Sequence, residues 1–189
     1  MITIREAIDA LESSPVIAAV KTADAAQAAA QSPVLVAFVL GGSILSMGDI
    51  VDTLQGSGKL AFLHMDLIEG IGRDEAALEY AVKTWQPSGI ITTRAQLVRQ
   101  AREIGLPAVQ RVFLLDSASI RSGVQLMDQC RPDMIEVMPG VIPKAIGQFR
   151  VAGRPVIAGG MVTTRAEVID ALAAGALAVS TSSRELWYE

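Results

Sequence analysis

Two loops rich in glycine and hydroxyl side chains carry the clearest chemical signal in the sequence. Residues 158–160 read Ala-Gly-Gly after one apolar segment, and residues 180–183 read Ser-Thr-Ser-Ser at the end of the next. Glycine lets backbone amides approach an anion closely, and serine and threonine add hydroxyl donors. Residues 183–187 can start a short helix whose first amides would complete the cradle. Either loop alone would be an ordinary turn, but together they predict a phosphate site.

Polar residues also stand at the ends of two earlier apolar segments. Lys21 follows the first of them. In the third, Phe62, His64 and Asp66 share one face if the chain is extended, because side chains alternate with a period of two. If that face points inward, Asp66 lies at the rim and His64 one layer deeper. A lone buried histidine is more often a core residue than a catalyst, so His64 is a secondary candidate.

Two later segments place charge among apolar residues. Gln110 and Arg111 are adjacent, so only one of them can face inward. Glu136 lies between methionines on one face of the sixth segment. A buried carboxylate is costly without a partner, which predicts that Glu136 meets a ligand hydroxyl, Lys144 or Arg111.

Eight short apolar segments must position these side chains. They alternate with stretches of helical periodicity, which indicates parallel β-α-β units. Eight units within 189 residues predict one domain, residues 1–189, folded as a small TIM-type (β/α)₈ barrel of parallel strands. A flavodoxin-like open sheet is the alternative, but such a sheet has fewer strands than the eight predicted here. The predicted strands are residues 16–20, 34–40, 60–67, 89–92, 108–114, 134–138, 155–158 and 178–180.

Two of these β-α units have similar sequences around their helices. Thr93 and Thr164 are each followed three residues later by Gln or Glu, which predicts capping boxes at the starts of two helices. Each helix then ends before a glycine, Gly105 or Gly175, a residue that tolerates the left-handed conformation past a helix end. The first residues, 1–14, and residues 23–30 also predict helices.

Composition excludes several classes of function. The net charge of −4 argues against a generic nucleic-acid binder, although residues 94–189 carry 11 Lys/Arg against 9 Asp/Glu. One histidine and one cysteine, Cys130, give no zinc-binding spacing and no disulfide, so we expect neither a metal nor a cofactor. No apolar stretch is long enough to span a membrane, and the sequence shows no signal peptide, so we expect a cytoplasmic protein.

Seven stretches of the chain resemble the glycerol uptake operon antiterminator regulatory family. Three motifs are specific when taken together: Gln-Arg-x-Phe-Leu-Leu-Asp-Ser, Glu-x-Met-Pro-Gly-x-x-Pro-Lys, and Ser-Thr-Ser-x-x-x-Leu-Trp. The stretches run through nearly the whole chain in family order, at residues 64–70, 74–77, 89–93, 110–117, 136–144, 155–160 and 180–187.

The resemblance implies a barrel that senses glycerol 3-phosphate and acts, when liganded, as a transcription antiterminator on the leader mRNA of a glycerol operon. It is not expected to be an enzyme. Phosphate capture would order the C-terminal segment and change a surface or a homo-oligomer interface. The implied phosphate ligands are Gly159, Gly160, Thr181 and Ser182. The implied contacts to the glycerol hydroxyls are Asp66, Glu136 and Arg111, with Lys21, His64 and Lys144 as further candidates.

An enzyme acting on a small phosphorylated substrate is the alternative. An isomerase, epimerase or synthase on this scaffold would need an acid and a base aimed at one substrate. Asp66 and Glu136 could fill those roles, with His64 in reserve.

Overall fold

The computed structural model describes residues 2–151 and 153–188, which form a closed barrel of eight parallel strands in chain order. The strands are β1 Val16–Val20, β2 Val36–Val39, β3 Leu60–His64, β4 Gly89–Thr92, β5 Ala108–Phe113, β6 Met134–Met138, β7 Val156–Gly159 and β8 Ala178–Thr181. The predicted (β/α)₈ barrel is confirmed, and the flavodoxin-like alternative is wrong because β8 pairs with β1 and closes the sheet.

Seven helices follow the first seven strands, and one helix precedes β1. They are α1 Ile4–Ser13, α2 Ala23–Gln31, α3 Met47–Gly56, α4 Glu75–Trp85, α5 Ala95–Glu103, α6 Ser117–Cys130, α7 Pro143–Val151 and α8 Arg165–Ala173. A short 3₁₀ helix, Arg184–Tyr188, follows β8, and another, Met65–Leu67, follows β3. None of the helices described is long and apolar enough to cross a membrane.

The barrel interior is filled by alternate residues of each strand. Ile17, Phe62, Val109 and other inward residues form one apolar cluster. The residues between them face outward and form the larger cluster beneath the helices. Helix α1 closes the amino end, because its Ala7 and Leu11 pack into the inner cluster. The amino end is therefore sealed, and the opposite end carries the loops that can hold a ligand.

Two details of the sequence prediction are corrected. Strand β3 ends at His64, so Asp66 lies in the following 3₁₀ turn and not on the strand face with Phe62. The capping box at Thr93 is also wrong, since Arg94 is the N-cap of α5 and makes no side-chain cap bond.

The second predicted capping box is confirmed. The Thr164 hydroxyl accepts from the Glu167 amide at the start of α8, and the Glu167 carboxylate accepts from the Thr164 amide. Gly105 and Gly175 follow α5 and α8 with φ of +76° and +101°, in the left-handed region that favours glycine.

Candidate functional site

The last complete layer of inward side chains lies just beneath the carboxyl-end loops. In a closed parallel barrel, inward residues of alternate strands stack in layers of four. The strand register places Ala19, His64, Arg111 and Gly159 in this layer. All four are buried. The layer beneath it comes from the other four strands and consists of Phe38, Ile91, Glu136 and Ser180.

Glu136 is bound on both carboxylate oxygens. Arg111 Nε donates to Oε2 at 2.6 Å, and the Ser180 hydroxyl donates to Oε1 at 2.6 Å. Glu136 is fully buried and Arg111 is 6% exposed, so the pair neutralises a charge that would otherwise be costly. Of the partners considered from sequence, Arg111 is the one that the structure shows. Sequence reasoning missed Ser180 as a partner of this carboxylate.

Two buried nitrogens in the last complete layer have no hydrogen-bond partner within the described chain. They are Nη2 of Arg111 and Nδ1 of His64. Burial lowers the pKa of His64 to about 4, and the positive charge of Arg111 adds to this effect, while Asp66 opposes it. His64 is therefore neutral near pH 7. Unpartnered buried polar atoms are rare in native proteins, so these two mark a place where a polar ligand fits.

Asp66 ties the ends of β3 and β4 together at the rim. Its carboxylate accepts from the Thr93 amide at 2.7 Å and from the Thr92 hydroxyl at 3.0 Å. Arg94 Nε lies 3.2 Å from the other oxygen. Nδ1 of His64 is 3.7 Å from Asp66, beyond hydrogen-bonding distance. The residues that contact Asp66 are the Thr-Thr-Arg sequence at the end of β4. From the sequence, this stretch was interpreted as a helix cap.

Glycine is required at the last residue of β7 and at the residue after it. A Cβ on Gly159 would lie 2.3 Å from Oε1 of Glu136. Gly160 has φ of +73°, and a Cβ there would lie 2.6 Å from the Met138 side chain. The Gly140 amide donates to the Gly159 carbonyl at 2.6 Å, which joins this loop to the loop after β6. The backbone at Gly159 and Gly160 thus stays bare of side chains beside the buried pair.

The loop after β8 is held by hydrogen bonds of Thr181, the last residue of β8. The Thr181 hydroxyl donates to the Val162 carbonyl at 2.7 Å and accepts from the Ser183 amide at 3.0 Å. The Trp187 indole donates to the Thr181 carbonyl at 2.9 Å, and Trp187 is buried. Ser182 is exposed between these anchors. The Thr181 side chain therefore braces the loop, and Ser182 is free to face solvent.

The two lysines named from sequence are both exposed. Lys21 is exposed directly after β1. Lys144 is exposed in the first turn of α7 and lines a groove of about 620 Å³ against α6, outside the barrel.

Two kinds of catalytic group are not found among the described residues at this end, namely a metal-binding cluster and a buried lysine. Within residues 2–151 and 153–188, no group of three or more His, Cys, Asp or Glu side chains could hold a metal ion. Schiff-base catalysis needs a lysine amine held in the site, and the buried charged side chains described here include no lysine. Cys130, the last residue of α6, is buried, and burial raises the pKa of its thiol.

Known proteins resemble the chain over nearly its whole length. The family described as "Glycerol-3-phosphate responsive antiterminator" matches residues 16–187. The uncharacterized protein YgcP of Escherichia coli is 36% identical over 94% of this chain and 93% of its own length. The glycerol uptake operon antiterminator regulatory protein of Listeria monocytogenes superposes with a TM-score of 0.88 at 31% identity, over 92% of this chain and 95% of that one.

A second solved relative is the glycerol uptake operon antiterminator-related protein of Thermotoga maritima. It superposes with a TM-score of 0.82 at 35% identity and covers 91% of this chain and 96% of that one. Two solved aldolases and a solved epimerase with this barrel are only 12% to 15% identical, a likeness that shows the fold alone.

Proposed function

We propose, since the chain belongs to the family of glycerol-3-phosphate responsive antiterminators, that it binds glycerol 3-phosphate at the carboxyl end of its barrel. The phosphate would lie on the backbone of Gly159, Gly160 and Thr181 and on the Ser182 hydroxyl. The observation that carries this placement is the bare glycine backbone, at which any side chain would collide with the buried Glu136 or with Met138. Backbone amides at such a loop bind phosphate well.

The glycerol end would then point down into the barrel. Asp66 lies just after β3, and Arg111, which is paired with Glu136, has one nitrogen unpartnered. Lys21 would add positive charge at the mouth. Lys144, whose exposed side chain lines the groove between α6 and α7, is not included.

The regulatory step is proposed to be antitermination on the leader mRNA of a glycerol operon, in the cytoplasm. The C-terminal 3₁₀ helix is anchored on Thr181 through Trp187, so a ligand at this loop bears directly on that segment. A change there would alter an RNA-binding surface or a homo-oligomer interface. The second half of the chain, with 11 Lys/Arg against 9 Asp/Glu, is the better half for contacting phosphates.

An enzymatic role is less well supported by the same contacts. A general base needs a free oxygen or nitrogen within reach of the substrate proton. Both oxygens of Glu136 are engaged, and Asp66 accepts bonds from β4 and the loop after it. Neither carboxylate has the freedom of a proton carrier.

Thermal unfolding with added ligand tests the binding proposal. At about 100 times the Kd, a ligand adds about 2.7 kcal/mol, which raises the midpoint by about 5 °C or more for a chain of this size. Glycerol 3-phosphate should produce this rise, and glycerol should not. Ser182→Asp places a carboxylate in the phosphate loop and should abolish the rise. Gln148→Asp adds the same charge on exposed α7 and should keep it.

The antitermination proposal needs a separate test. A gel shift on a glycerol-operon leader RNA, at fixed salt, should show binding that depends on glycerol 3-phosphate. RNA binding that is absent both with and without ligand would overturn this step. No thermal shift with glycerol 3-phosphate would overturn the ligand assignment itself.

A further inference from the structure

A groove of about 620 Å³ runs between α6 and α7 on the outside of the barrel. Its lining is largely apolar, with Ile120 and Val124 from α6 and with Ile142 and Ala145 at the start of α7. Ile120 and Val124 are half-buried and Ile142 is exposed, so water contacts this apolar surface. A partner that covered the surface would gain the hydrophobic free energy of the area removed from water. A groove between two helices is also the shape that receives a third helix.

The same groove is positively charged, because Arg121 of α6 and Lys144 of α7 line it and no described carboxylate does. Neither cation forms an ion pair within the part of the chain that the structure describes. Lys144 also lies in the first turn of α7, where the helix dipole disfavours a cation. Asp116, the N-cap of α6, is engaged by the Ser119 amide at 2.8 Å. The groove therefore suits a surface that carries carboxylates.

Helix α4 has the complementary shape. A groove of about 390 Å³ separates it from α5, and another of about 670 Å³ lies on its other side, towards α3, so α4 stands between them as a ridge. The outward face of this ridge presents Glu75, Glu79 and Tyr80, which are all exposed. Glu103 of α5 lines the groove beside them and adds a third carboxylate, while Lys83 pairs with Glu79. An acidic ridge with an aromatic side chain is thus available to another molecule.

The ridge and the groove match in shape and in charge. The ridge α4 fits between α6 and α7, and these two helices fit the grooves beside α4, which is how side-chain ridges of packed helices enter grooves. The carboxylates lie on the α5 side of the ridge. On the α3 side, Lys59 donates to the Ser32 carbonyl at 2.7 Å. Two copies of the groove between α6 and α7 cannot pair with each other, since that would bring their cations together.

We infer that α4 of one copy packs into the groove between α6 and α7 of a second copy of this chain, with its carboxylates against Arg121 and Lys144. Because the two surfaces differ and lie on different sides of the barrel, the contact is head-to-tail. One copy keeps its groove free and the other keeps its ridge free. Further copies can therefore add, unless the rotation between copies closes a ring. The contact involves no ligand and is independent of the proposed function.

Sedimentation velocity of the full chain, across a range of concentrations, tests the contact. The wild-type mass should rise with concentration, and added salt should weaken the association because the ion pairs are screened. Arg121→Glu with Lys144→Glu reverses the charge of the groove, and Glu75→Lys with Glu79→Lys reverses the charge of the ridge. Each pair of changes should weaken the association at least about 100-fold, since like charges then face each other. The chain with all four changes should associate again, because the ridge and the groove are then oppositely charged.

The control is Arg5→Glu with Arg131→Glu. It changes the net charge as the groove variant does, on exposed residues outside both surfaces, and it should leave the association unchanged. Circular dichroism checks that each variant is folded. A wild-type chain that stays monomeric at every concentration would overturn the inference, and so would a folded four-change variant that stays monomeric.

RNA is the competing occupant of a positively charged groove. It is less suited to this one, because two cations beside an apolar floor offer few contacts to phosphates. If Arg121→Glu with Lys144→Glu abolishes binding of the leader RNA but keeps the wild-type mass, the groove binds RNA and the contact between copies is wrong.

Discussion

The buried pair of Arg111 and Glu136 should behave as one energetic unit. At 2.6 Å, their mutual attraction is about 6 kcal/mol for an effective dielectric constant of about 20. Removing two charges from water costs several kcal/mol for each ion, so the pair adds little net stability. Removing only one of the two residues should be strongly destabilising, because the remaining charge stays buried without a partner.

The perturbation is a double-mutant cycle. Arg111→Met leaves Glu136 buried with only the Ser180 hydroxyl, and Glu136→Leu leaves the guanidinium unpaired. Each single change should lower the free energy of unfolding by about 3–5 kcal/mol. The double change replaces the pair with apolar side chains of similar size and should lie within about 2 kcal/mol of the wild type. The two changes are thus coupled by at least about 4 kcal/mol.

Urea unfolding at pH 7.5, followed by circular dichroism, measures the cycle. A second reading comes from His64, the only histidine of the chain, whose imidazole resonance is therefore unambiguous. Removing the charge of Arg111 should raise the pKa of His64 from about 4. A double variant that loses the sum of the two single losses would refute the reasoning. So would an Arg111→Met variant that loses less than about 1 kcal/mol, since that is the value of an exposed pair.

Three further results are expected. Because the pKa of His64 falls from 6.5 to about 4 on folding, the unfolded chain takes up a proton first. Stability should therefore fall by about 3 kcal/mol between pH 6.5 and pH 4, and His64→Phe should remove this part of the pH profile in urea unfolding. Gly159→Ala should cost about 1–3 kcal/mol because its methyl group meets Glu136, whereas Gly147→Ala, in open space on α7, should gain up to about 1 kcal/mol; a loss in both would contradict the packing argument. Asp66→Asn should cost about 1–2 kcal/mol and lower the melting midpoint, since its charge-assisted bonds to the loop after β4 are weakened.

The sequence predicted the strands well because each is buried on both faces. A strand between a packed interior and a layer of helices reads as an unbroken apolar run, so β1, β4 and β6 were placed with their observed bounds. The end of β3 was less predictable. Met65 and Leu67 continue the apolar run after His64, although the chain there turns into a 3₁₀ helix.

The site was predictable in position but only partly in its contacts. Side-chain alternation required one of Gln110 and Arg111 to face inward. The residues on either side of the pair are apolar, so the sequence did not show which of the two it is. The bond from Ser180 to Glu136 joins residues 44 apart, and it depends on a stagger between strands that only barrel closure fixes. Thr181 belongs to the phosphate loop by sequence, yet its place on β8 directs its hydroxyl outward, to the Val162 carbonyl.

Under the proposed function, these contacts explain how a barrel that enzymes also use would serve ligand sensing. A catalyst keeps its acid and base free to exchange protons with the substrate, and it aims them at one reacting atom. Here the carboxylates are engaged with Arg111, Ser180 and the Thr93 amide, while the unpartnered atoms are an arginine nitrogen and a neutral imidazole nitrogen. Under the proposed function, such atoms would gain their missing hydrogen bonds from the ligand. Occupancy of the site would then stabilise the loops around it, which is the property that a sensor requires.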